Sequence, residues 1–171
     1  MADGVFGVEV VTPEEALLAG GASGVVLTTS GGDMTVLDGH TSLIADVVPC
    51  LVKVAQPDGS EARLAVHGGF LQVDTSPGAA EGLAEGDGPL PGMSTRVTVL
   101  AGVAEMAEEI DVPRAEAAKE AATQLVADLR SGRAPVTEGD SGADDPEFAL
   151  QEAEKALARA ELRLAVAAEG G

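Results

Sequence analysis

Aromatic side chains are nearly absent from this sequence: three Phe, with no Trp and no Tyr, make up 2% of 171 residues. Any core must therefore be built from Val, Leu, Ile and Ala, and the rings on which proteins stack bases or sugars are missing. Cysteine occurs once, as Cys50 in the apolar run VPCLVKVA, so no internal disulfide can form. A buried thiol in a reducing compartment is the ordinary consequence. Basic residues are also few: 10 Lys and Arg stand against 29 Asp and Glu, a net charge of −19. Nucleic acid and anionic membrane repel such a surface, so neither is expected as a direct partner, whereas a basic protein face is compatible with it. No apolar run nears the roughly 18 residues that span a bilayer, so no direct membrane insertion is expected. The first residues, MADGVFGVEVV, lack the charged and apolar regions of a signal peptide, and a soluble cytosolic protein is the expectation.

Several catalytic signatures are missing too. His40 and His67 are the only histidines, and neither has an acid–histidine spacing or a second Cys that would suggest a metal site. No Gly-rich loop ends in Lys-Ser or Lys-Thr, which excludes nucleotide hydrolysis of the P-loop kind. GDSG at 139–142 matches the nucleophile segment of trypsin-like proteases. It lies between two helical patterns rather than at a barrel edge, so a hydrolase using Ser141 is the remote reading.

What is present divides in two. Up to residue 102 the apolar pattern has a period near two, in the short β-branched runs FGVEVVT, SGVVLTT, DMTVLD, CLVKVAQ, ARLAVHG, GFLQVDT and TRVTVLA. Pro57, Asp58 and Gly59 suit a hairpin turn. Many short strands without intervening helices predict an antiparallel β-sandwich or barrel. Residues 77–94, rich in Gly, Pro and Glu, read as a loop inserted between paired strands, and GGDMTVLDGHTSL at 31–43 as a glycine-rich tract ending in a loop. That loop is either a plain tight turn or a contact surface of the kind rigid sandwiches carry at their ends.

Beyond residue 102 the period becomes helical. VPRAEAAKEAATQLVADLR at 112–130 sets Ala115, Ala118, Ala122, Leu125 and Leu129 on one face. A Gly- and Pro-containing linker at 131–146 follows, and a second helix from about Glu147 to Ala168 carries Leu150, Ala153, Leu157, Ala160, Leu164 and Ala167 as a seam. Small Ala side chains bury little area, which predicts a two-helix hairpin able to open. Lys155, Arg159 and Arg163 form a basic stripe at four-residue steps. Either Glu152, Glu154 and Glu161 offset it or it meets an acidic partner. At the first helix start, Asp111 is a good N-cap, but Arg114 stands where a capping box places Glu or Gln. Arg114 is either a surface partner for Asp111 or, beside free N–H groups, a contact for an anion such as phosphate.

In order and spacing, three segments resemble the epsilon subunit of the bacterial F-type ATP synthase, the counterpart of the mitochondrial delta subunit. They are VEVVTPEEALLAGGASGVVLTTSGGDMTVLDGHTSLIADVVP, LAVHGGFLQVD at 64–74 and RVTVLAGVAEMAEEIDVPRAEAAKEAA at 96–122. The resemblance implies an α+β fold, an antiparallel β-sandwich over residues 1–104 followed by an antiparallel two-helix hairpin over 105–171. It implies a non-catalytic rotor subunit, peripheral at the cytoplasmic face of the plasma membrane, that couples rotation of the c-ring to ATP synthesis. The sandwich would dock on the gamma subunit and the c-ring. LDGHTSL matches the family's LPGHAPL-like loop, so Gly39, His40 and Leu43 become candidate ring contacts, with Asp38 where proline is usual. The hairpin, when extended toward the alpha and beta subunits, would block ATP hydrolysis, and Lys155, Arg159 and Arg163 are the candidate contacts to an acidic segment of beta. No cofactor is required, but some members bind regulatory ATP through an Ile/Leu-Asp-x-x-Arg-Ala motif, which Ile110, Asp111, Arg114 and Ala115 fill. An ATP-sensing module without an inhibitory role is the alternative. The insertion at 77–94 and the long linker at 131–146 depart from the family pattern.

Overall fold

The computed structural model describes residues 4–76, 94–133 and 146–169. The insertion at 77–93, most of the linker and GDSG with Ser141 lie outside these residues. The chain divides into two compact units, Met1–Glu109 and Ile110–Gly171.

The first unit is a β-sandwich of eight strands. β1 (Phe6–Val11), β2 (Ala16–Ala22), β3 (Gly24–Thr29), β4 (Gly32–Val36), β5 (Leu43–Ala55), β6 (Glu61–Asp74) and β7 (Arg96–Ala101) pair in the order β2-β1-β7-β6-β5-β3-β4. A short β8 (Ala104–Met106) pairs with β6. All pairings are antiparallel except β1 with β7, which run parallel, a feature the short-hairpin grammar of the sequence does not announce. Along β1, β5, β6 and β7 inward and outward side chains largely alternate, and Phe6, Val8, Val10, Val25, Leu27, Val52, Val54, Leu64, Leu71, Val97 and Val99 fill a mainly aliphatic core. Cys50 is buried in it, as the apolar run around it predicts.

The runs ARLAVHG and GFLQVDT, which read as two strands, are one strand with a change of phase. In β6, Ala62, Leu64 and Val66 face inward before the break, and Leu71 and Val73 after it. The partner strand β5 changes phase across Val48 and Pro49, from Val47 inward to Cys50, Val52 and Val54 inward. Gly68 and Gly69, at φ +99° and +154°, absorb the bend. A Cβ at Gly69 would overlap the carbonyl of Leu100 on β7, so only glycine fits. The β5–β6 register runs unbroken through this shared bend, which lets two long strands turn the corner between the layers of a sandwich.

β2 escaped the sequence reading because ALLAGGA is Ala- and Gly-rich, a composition of low strand propensity; its ladder to β1 holds it in place. β8 and a 3-10 turn at Ala107–Glu109 extend the first unit to Glu109, five residues past the expected boundary at 104.

The second unit contains α1 (Val112–Arg130) and α2 (Pro146–Glu169). Arg130 pairs with Glu154 at 2.7 Å and Lys119 with Glu161 at 3.4 Å, so the helices run antiparallel as a hairpin. Ala115, Ala122 and Val126 of α1 and Ala153, Ala160 and Val166 of α2 are buried. Ala118 and Leu125, expected in the seam, are exposed. The α1 stripe runs through 115, 122, 126 and 129 instead, at helical spacing. Leu150, Leu157, Leu164 and Ala167 are half-buried at the margins of the α2 seam.

Candidate functional site

The loop at residues 37–42 follows β4 and is held at both ends. Leu37 accepts the His40 N–H at 3.1 Å, closing a turn in which Gly39 takes φ +76°. The Gly39 N–H donates to the Thr95 hydroxyl at 3.0 Å, and that hydroxyl donates to Asp38 Oδ1 at 2.9 Å. At the other end the Ser42 and Thr75 hydroxyls lie 2.7 Å apart, and Ser42 Oγ accepts the Thr75 N–H at 3.1 Å. His40 is half-buried, and its Nδ1 lies 3.0 Å from the Thr41 carbonyl. A carbonyl only accepts, so Nδ1 is the donor in this contact.

Leu43 begins β5 half-buried, packing against the core and lining an open groove with Ile44 and Phe70. The neighbour that faces outward is Ile44, 74% exposed, together with Phe70 at 53% and Leu100 at 45%. Phe70 stands opposite Leu100 in the β6–β7 register, and Leu100 opposite Val11 of β1. One apolar ridge therefore crosses the outer face of the sheet, and Ile44 and Phe70 also line an open groove with Met34. The sequence signal for this patch was the alternation itself: once Leu71 and Val73 are inward, Phe70 must be outward. Beside the ridge, Arg96 pairs with Glu9 at 2.6 Å, and the Thr98 hydroxyl donates to the same Glu9 oxygen at 3.1 Å.

In IDVPRA, Asp111 is the N-cap of α1, with Oδ1 accepting the Arg114 backbone N–H at 3.0 Å. Ile110 and Ala115 are buried, while Asp111 and Arg114 are exposed. The motif thus has two buried anchors and two polar groups facing solvent. The Asp111 carboxylate engages the backbone of Arg114, and the Arg114 guanidinium forms no ion pair among the described residues.

On α2 only one of the three nearby acids offsets the basic stripe. Glu152 bonds Lys155 at 2.8 Å, and that hydrogen bond, with the Lys155 and Arg159 charges, holds its carboxyl below the ordinary range. Glu154 and Glu161 turn to Arg130 and Lys119 of α1. Lys155 is exposed, Arg159 and Arg163 half-buried. The free-thiol environment of Cys50 offers no nucleophile, since burial pushes its pKa up. Among the described residues no group of three acidic, His or Cys side chains gathers as a metal site, and no helix is long and apolar enough to cross a membrane.

A family model described as the ATP synthase delta/epsilon chain beta-sandwich domain matches residues 5–77. The ATP synthase epsilon chain of Bordetella petrii is 36% identical over 154 residues, covering 90% of this chain and 86% of that one. That of Thermobifida fusca is 38% identical over 117 residues, 67% of this chain and 72% of that one. Among solved structures, a chain of the Euglena gracilis mitochondrial ATP synthase (OSCP/F1/c-ring in rotational state 1) superposes with a TM-score of 0.62 at 19% identity, covering 92% of this chain and 78% of that one, a likeness of fold. With the sandwich matched by the family model and epsilon chains aligned across both units, the chain belongs to the ATP synthase epsilon chain family.

Proposed function

We propose that this chain is a non-catalytic central-stalk subunit of a proton-translocating F-type ATP synthase, peripheral at the cytoplasmic membrane face, with the sandwich docked on gamma and the c-ring. The observation that carries the reading is the alignment to an epsilon chain over 90% of this chain. The ridge of Ile44, Phe70 and Leu100 supports docking, because exposed apolar patches on a soluble domain mark contact surfaces. The loop bearing Gly39 and His40 is the candidate ring contact. Copurification of the full chain with gamma and the c-ring tests the assignment; an assembled synthase from which the chain is absent contradicts it.

The hairpin is proposed to regulate ATP hydrolysis by opening toward alpha and beta, where Lys155, Arg159 and Arg163 would meet acidic side chains. Its seam of Ala methyls supports a low barrier to opening, since each contributes only about 0.8 kcal/mol of burial. A second reading, ATP sensing without inhibition, is favoured by one observation: Arg114 is exposed and forms no ion pair among the described residues, in the first turn of a helix. Calorimetry separates the two. Millimolar ATP should bind wild type and not Arg114→Ala, and no heat with wild type rejects sensing.

A further inference from the structure

If the loop at 37–42 contacts the ring, what fixes its shape in this chain? Asp38 stands at its second position, so no proline ring locks the backbone there. Two segments distant in sequence converge on Asp38 instead. Thr95, just before β7, is fully buried and its hydroxyl is satisfied twice, accepting from the Gly39 N–H at 3.0 Å and donating to Asp38 Oδ1 at 2.9 Å. The Thr95 backbone is itself fixed, since its carbonyl accepts the Gly7 N–H of β1 at 3.0 Å. Gly4 abuts the Asp38 side chain so closely that any Cβ there would overlap the carboxylate. Asp38 and Gly39 are thus pinned between the starts of β1 and β7, and Gly39 is held at its positive φ beside His40.

We propose that Thr95 and Asp38, backed by Gly4, are positioning residues that preorganise Gly39 and His40 for their contact through a hydroxyl clamp. The inference rests on the ring-contact reading of the loop. Preorganisation strengthens binding by removing the entropy of ordering a loop at the moment of contact.

The test uses the full chain and an ATP synthase complex stripped of its epsilon subunit. Rebinding is measured together with amide hydrogen exchange of Gly39 and His40 in the free protein. Thr95→Val keeps the buried shape and removes the hydroxyl. It should rebind roughly 10-fold more weakly and exchange faster at both amides, the loss of about one hydrogen bond's contribution. Thr95→Ser should restore both. Gly4→Ala displaces Asp38 without touching Thr95 and should act in the same direction. His40→Ala is the separate arm for the underlying reading: wild-type rebinding by it rejects the ring contact, whatever the clamp does. Weakened His40→Ala with wild-type rebinding by Thr95→Val and Gly4→Ala overturns the clamp alone. Failure of Thr95→Ser to restore Thr95→Val also overturns it, because volume rather than the hydroxyl would then matter.

Discussion

Gly69 illustrates how one residue can decide the course of two strands. Its φ of +154° and the carbonyl of Leu100 against its α-carbon leave no room for a side chain. Gly69→Ala is predicted to destabilise the sandwich by more than about 2 kcal/mol in urea denaturation, through backbone strain and a steric clash together. Cys50 gives a gentler readout. Its thiol is buried and its pKa raised by desolvation, opposed by hydrogen bonds from Thr28, so a thiol reagent at pH 8 should modify it slowly in the native protein and rapidly in denaturant. Rapid native modification would contradict the burial. At this scale the sequence was legible where chemistry is local: Gly39 reads as a left-handed turn from its own identity. The Thr95–Asp38 bond was not legible, because its partners stand 57 positions apart and no periodicity joins them.

Among the elements, the hairpin seam is the most sensitive to side-chain volume. Ala160 is 1% exposed against α1. Ala160→Leu should cost about 1–3 kcal/mol by overpacking, seen as a lower helix midpoint by circular dichroism while the strand signal keeps its own midpoint. The stripe offers a pH test with a defined sign. Glu152 has its pKa lowered, first by the Lys155 hydrogen bond and then by the Lys155 charge. A carboxylate depressed on folding stabilises above its unfolded value, about 4.3, and loses that contribution as pH falls through the lower folded value. Helicity should therefore decline on acidification below about pH 4. Glu152→Gln should remove part of that decline, by a small and salt-sensitive amount because the pair is exposed. The period of each element was readable, and so were α1 and α2 to within a residue. The face was less so: a helix carrying Ala at 115, 118 and 122 offers two neighbouring stripes, and only the partner helix chose 115, 122 and 126. β2 was missed for the complementary reason, a ladder overriding a poor local propensity.

At the scale of the whole molecule, a sandwich and a two-helix hairpin follow from one change of hydrophobic period near residue 102, and the structure moves the division to Glu109. What the change of period could not reveal is the outer ridge, because Ile44, Phe70 and Leu100 stand on three strands that only the pairing of the sheet brings together. Phe70→Asp should leave the thermal midpoint of the free protein within a few degrees, since the side chain is already in water, and weaken assembly with gamma strongly in copurification. The central claim is that the sandwich docks on the rotor and the hairpin restrains hydrolysis. Its most direct test is to rebind the full chain and a form lacking residues 131–171 to a synthase stripped of epsilon, and to measure ATP hydrolysis and ATP-driven proton pumping. The account predicts that both forms rebind and restore pumping, and that only the full chain lowers hydrolysis; failure of either form to rebind, or equal hydrolysis with both, would contradict it.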